Sequence, residues 1–124
     1  MSNPILMGGI LVALLAAGAS ALAGEADVLG VKVRPSADGA YLFSVTVRHD
    51  DEGWEHYADR WEVLAPDGTV LGTRVLLHPH VGEQPFTRSL AGVAVPAGVS
   101  RVVVRAHDSV HGLDGAEVTV ELAE

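Results

Sequence analysis

The residues best equipped for chemistry are six histidines that fall in three pairs: His49 and His56, His78 and His80, His107 and His111. Imidazole is the commonest side-chain ligand for zinc and a good one for divalent copper. His78-Pro79-His80 sets two rings on a stiff, extended segment, where alternate side chains point the same way. His107 and His111, four apart, could close around the same ion. Nearby Asp50, Asp51, Glu52, Glu55, Asp59, Glu83, Asp108 and Asp114 could ligate directly or orient an imidazole through its second nitrogen. The chain has no Cys, and Met1 and Met7 both precede residue 24. Beyond that point a thiolate or thioether site for monovalent copper is excluded, as is a blue-copper centre, which leaves zinc or copper(II).

Other chemistries fare worse. Ser109 lies between His107 and His111, but no nucleophile-elbow motif or ordered triad surrounds it. Gly8-Gly9 belongs to the apolar leader and is no phosphate loop. The 8 basic and 16 acidic residues give a formal charge of −8, which phosphate backbones repel, so nucleic acid is excluded as a partner. Arg48, Arg60, Arg74, Arg88, Arg101 and Arg105 are spread along the strands and read as outer-face partners of Glu62 and Glu117. Trp54, in the acidic loop, is either a lid over the end of the core or a contact residue for a partner or sugar.

The elements that must hold these groups are strands. Residues 28–34 form a first strand, stopped by Pro35 and turned at Asp38-Gly39. In residues 40–49, Tyr41, Phe43, Val45 and Val47 alternate with Ser44, Thr46 and Arg48, the period of two that puts one face on a core. His49 continues the inward parity. A third strand, residues 57–65, turns Trp61 and Val63 one way and Arg60 and Glu62 the other. Pro66-Asp67-Gly68 makes a hairpin turn into residues 69–77. Two prolines make residues 78–85 a loop. Residues 86–95, 99–106 and 116–122 supply the last three strands, with Val102 and Val104 facing inward.

Seven short strands in about 100 residues predict an all-β, antiparallel two-sheet sandwich. The pattern resembles immunoglobulin and fibronectin type III domains, with Trp61 where such domains place their core tryptophan. The disulfide is missing, and no Tyr lies near the sixth strand to make a tyrosine corner, which leans the likeness toward fibronectin-like or bacterial variants. Residues 78–112 also resemble small exported bacterial proteins of uncharacterised function, a likeness that brings no activity with it. If the strands run up and down, loops two–three, four–five and six–seven share one pole. Those loops hold all six histidines.

Residues 1–23 carry no charged side chain, and Ser20-Ala21-Leu22-Ala23 offers the small-x-small pattern of a signal peptidase site. No Lys or Arg precedes the apolar run, and an uncleaved anchor is the competing reading. With no Cys after the leader, a lipid-anchored form is excluded. The expected organisation is a signal peptide over residues 1–23 and a β-sandwich over residues 24–124, periplasmic or secreted, with no membrane contact after cleavage. The expected function is non-enzymatic binding of zinc or copper(II) by His49, His56, His78, His80, His107 and His111. The alternative is an accessory module whose acidic, Trp-bearing loops touch another protein.

Overall fold

The computed structural model describes residues 11–13 and 24–122, so most of the expected leader lies outside the described residues. Seven strands fill residues 27–121: β2 (Asp27–Pro35), β3 (Tyr41–Arg48), β4 (Ala58–Leu64), β5 (Val70–Val75), β6 (Phe86–Val93), β7 (Arg101–Asp108) and β8 (Val118–Glu121). A three-residue strand, β1 (Leu11–Ala13), pairs antiparallel with the outer edge of β2. One sheet runs β2-β3-β6 beyond that edge strand, and the other runs β5-β4-β7-β8; all pairings are antiparallel. Among the described residues there is no helix.

The alternation read from the sequence builds the core. Phe43, Val45 and Val47 of β3 face Trp61 and Val63 of β4 and Val102, Val104 and Ala106 of β7 across the two layers, all buried. Aromatic and β-branched residues suit this half-buried, pleated surface. On the outer face of the second sheet Glu62 sits between two guanidinium groups, accepting from Arg60 Nε (2.8 Å) and Arg105 Nε (2.9 Å). Burial favours its neutral form, but the two arginines outweigh that and hold its pKa below the usual carboxylate range.

Two alternations run past the apolar core into polar residues at the same end of the sandwich. On β3 the inward series continues to His49, 1% exposed, and on β7 it continues through Ala106 to Asp108, fully buried. The two sheets thus each contribute one inward polar group to the end where the β3–β4, β5–β6 and β7–β8 loops lie.

Candidate metal centre

His49 and Asp108 meet across the end of the core: His49 turns Nε2 to Asp108 Oδ2. His56, from the β3–β4 loop, brings its own Nε2 to the same oxygen at 2.8 Å. The backbone carbonyl of Gly24 completes the meeting point, with its oxygen 3.0 Å from His49 Nε2 and 3.1 Å from His56 Nε2. His111 lies alongside, Nδ1 3.3 Å from Asp108 Oδ2 and its ring 5.0 Å from that of His56.

The far side of each imidazole is held by a carboxylate. His49 Nδ1 pairs with Asp51 Oδ1, and His56 Nδ1 lies 2.8 Å from Glu52 Oε1. A proton on each Nδ1 satisfies these contacts, which leaves each Nε2 as a lone pair aimed at a carboxylate oxygen and a carbonyl oxygen. Four acceptors then point at one another. Only positive charge between them makes that arrangement stable: protons on both Nε2 atoms, or a cation in their place.

The surroundings of the groups are built to last. Asp51 accepts from Ala58 N–H (3.0 Å) and, through its other oxygen, from His80 N–H (2.6 Å). His49 N–H donates to Gln84 Oε1 (2.9 Å). Asp108 Oδ1 accepts from the N–H groups of Val110 and His111, the local turn expected of an Asp at a strand end, so Oδ2 is left to the histidines. Burial works against charge on Asp108, but those N–H groups and the side chains of His56 and His111 bring its pKa down to about 2. Burial likewise works against charged His56, yet Glu52, Asp108 and the Gly24 carbonyl push its pKa up to about 9.

Ligand atoms of His49, His56 and Asp108 all lie within 4.8 Å of one another, so the three form a group that could hold a metal ion. Zinc takes nitrogen and carboxylate oxygen at about 2.0–2.2 Å, and ligand atoms around one ion are then about 3–4 Å apart, which small rotations would satisfy here. The carboxylates behind each Nδ1 are what a metal-bound histidine normally carries.

Of the six histidines named from the sequence, the structure brings His49, His56 and His111 together and leaves the other three elsewhere. The rings of His78 and His80 are 4.7 Å apart, but His80 stacks on Phe86 (4.0 Å) and receives Arg88 Nη2 on its Nε2 (2.8 Å). Burial and the charges of Arg88 and His78 lower the pKa of His80, which disfavours its charged form, and its Nε2 is already taken. His78 is exposed and turns Nδ1 to Pro79 O. His107 follows the outward parity of β7 and pairs with Asp59 at 2.6 Å. Asp108 was among the carboxylates named from the sequence as possible ligands, whereas the carbonyl of Gly24 was not foreseen. The inward parity of Val102 and Val104, carried past the expected strand end at residue 106, reaches Asp108; for Gly24 there was no signal. Ser109 ties loop to loop, its Oγ accepting from Tyr57 N–H (3.0 Å). Trp54 is 65% exposed and packs edge-on against Tyr57, so it does not cover the core.

No family model matches the chain, and no solved structure matches it. A protein of Halomicrobium mukohataei, named as a candidate lipoprotein, is 45% identical over 97 residues. That stretch is 78% of this chain and 47% of the relative, so the chain spans about half the length of the curated protein it matches.

Proposed function

We propose that the chain is an exported, non-enzymatic β-sandwich of the immunoglobulin or fibronectin type III kind that binds zinc or copper(II) through His49, His56 and Asp108, with His111 beside them. The observation that carries this reading is the convergence of two imidazole Nε2 atoms, a buried carboxylate oxygen and a backbone carbonyl on one point. A structural histidine normally offers one nitrogen to a donor or to solvent; these two are both backed by carboxylates and both aimed at acceptors. Bound there, the ion would buffer or deliver metal outside the cytoplasm, or lock the end of the sandwich. Export is supported by the small-x-small exit of the leader and by the lipoprotein name of the relative. The strand order β2-β3-β6 against β5-β4-β7-β8 supports the fibronectin-like reading.

The test is melting temperature with and without zinc or copper(II), on protein that carries no histidine tag. A ligand at 100 times its dissociation constant, bound only to the folded state, adds about 2.7 kcal/mol. His56→Ala removes that gain, whereas His78→Ala and His107→Ala keep it. A gain that survives His56→Ala, or none with either ion, defeats the proposal. In the second case the interaction-module reading takes its place, supported by Trp54 standing exposed on the same end.

A further inference from the structure

Gly24 is the residue that follows Ser20-Ala21-Leu22-Ala23, and its carbonyl oxygen sits between the Nε2 atoms of His49 and His56. The segment leading to it is clamped. Val28 N–H donates to Ala116 O (2.9 Å), Ala116 N–H donates to Asp27 Oδ1 (2.7 Å), and Ala26 and Asp27 are buried. Gly115 presses so closely on this segment that a Cβ there would lie 1.7 Å from Ala26 O. Gly24 itself has φ +95°, and a Cβ on it would lie 2.6 Å from His111 Cε1. The backbone therefore reaches the centre only because this residue has no side chain.

We propose that the α-amino group of Gly24, freed by removal of the leader, is a ligand of the metal centre together with its own carbonyl oxygen. The proposal rests on the metal-binding reading above. Signal peptidase adds water across the Ala23–Gly24 peptide bond. The hydroxyl stays on the Ala23 carbonyl carbon, and the Gly24 nitrogen takes the hydrogen to become an amine. An amide nitrogen is no ligand without losing its proton, but an amine donates a lone pair. Nitrogen and carbonyl oxygen of one residue close a five-membered ring on an ion. His49, His56 and the amine give three nitrogens, with Asp108 and the carbonyl as oxygen donors. A nitrogen-rich, mixed N,O set of this kind favours copper(II) over zinc. Processing would then complete the centre: the precursor holds an incomplete set, and tight binding starts after export.

Lys32 is the only lysine, and it lies exposed on β2, so a Lys32→Arg chain has the α-amine as its one primary amine. That chain, exported by a host and shown by mass spectrometry to begin at Gly24, is titrated with copper(II) before and after acetylation. Acetylation is expected to weaken copper binding at least about tenfold, since even outer partners of a ligand are worth roughly 10–100-fold. It also removes one nitrogen coupling from the copper electron paramagnetic resonance spectrum. Equal affinity and an unchanged spectrum, in a protein whose binding His49→Ala still abolishes, overturn the amine as ligand and leave the histidine site standing. No copper or zinc binding by either form overturns both. An exported chain that begins at another residue overturns this proposal alone.

Discussion

At the end of the sandwich that carries the β2–β3, β4–β5 and β6–β7 connections, the reversals are closed by local hydrogen bonds. Ala65 N–H donates to Thr69 O (2.9 Å), Thr69 N–H donates to Asp67 Oδ1 (2.9 Å), and Asp38 and Ala40 repeat the device. Tyr41, Val95 and Val99 pack on the core there. At the opposite end the core is closed by His49, Asp51, His80 and Asp108, all buried, in loops that hold one another through side chains. Burying charge and polarity costs free energy unless each group is answered. One end follows the economy of a stable domain, and the other departs from it where several loops converge. A departure of that kind, paired with strongly shifted acid and base groups, is shared by binding sites and by structural ion-pair networks, and the two are separated by experiment.

The largest contrast between the ends lies in their carboxylates. Asp108→Ala strips the buried partner from His49, His56 and His111, and is expected to cost about 3–5 kcal/mol in the metal-free chain. Asp67→Ala removes a similar carboxylate from an exposed turn and should leave the denaturation midpoint nearly unchanged. Urea unfolding of the two variants decides it; similar midpoints would mean that the histidine end is no more than another set of loops.

Much of this was legible in the sequence, and the boundary of what was legible is physical. Period-two alternation reports which way a side chain points, so Phe43-Val45-Val47 placed His49 inward; the expected sixth strand stopped at residue 106, and only the longer β7 carries its alternation on to Asp108. The same rule sends His107 outward. Turn chemistry fixed the strand breaks, and an even number of reversals brought the three histidine loops to one end. Pairing across loops obeys no local rule. His80 looked like a ligand because His78-Pro79-His80 is stiff, but Phe86 and Arg88, six and eight residues on, claim its ring. Gly24 lies 25 residues before His49, and only the assembled β2 and β7–β8 loop bring its carbonyl to the site. The six arginines from Arg48 to Arg105 were read as outer-face ion pairs; Arg60 and Arg105 hold Glu62 as expected, whereas Arg88 serves a histidine instead.

A second contrast concerns pH. His56 titrates at about 9 in the folded chain and near 6.5 when unfolded. A group whose pKa rises on folding adds stability that is complete below the unfolded value and is lost as pH climbs through the folded one. Metal-free protein should therefore lose melting temperature between pH 6.5 and 9, and His56→Ala should flatten that slope. Metal competes with the His56 proton, so affinity for zinc or copper(II) should rise across the same window, opening a gap between the two melting curves. Melting scans in half-unit steps of pH measure both. Parallel curves would show that the ion sits somewhere His56 does not reach, and a slope kept by His56→Ala would assign the titration to another group.

The finest contrast sets two glycines against each other, one at each end. Gly24 and Gly68 have nearly the same backbone, φ +95° and +92°, but a Cβ on Gly68 meets nothing within 4 Å, whereas one on Gly24 strikes His111. Alanine in this left-handed region costs roughly 1–2 kcal/mol at Gly68, whereas at Gly24 removal of the leader takes away the preceding carbonyl that would impose the strain. Gly68→Ala is thus a control for backbone strain alone, and copper(II) or zinc should bind it as they bind the parent. Gly24→Ala must instead push the His111 ring aside, moving the carbonyl that His49 and His56 face. Melting scans should find a small loss of stability for Gly68→Ala, and titration calorimetry a loss of affinity only for Gly24→Ala. Equal affinities would mean that the chain's approach at Gly24 is a packing detail, and that the two imidazoles and Asp108 hold the ion without it.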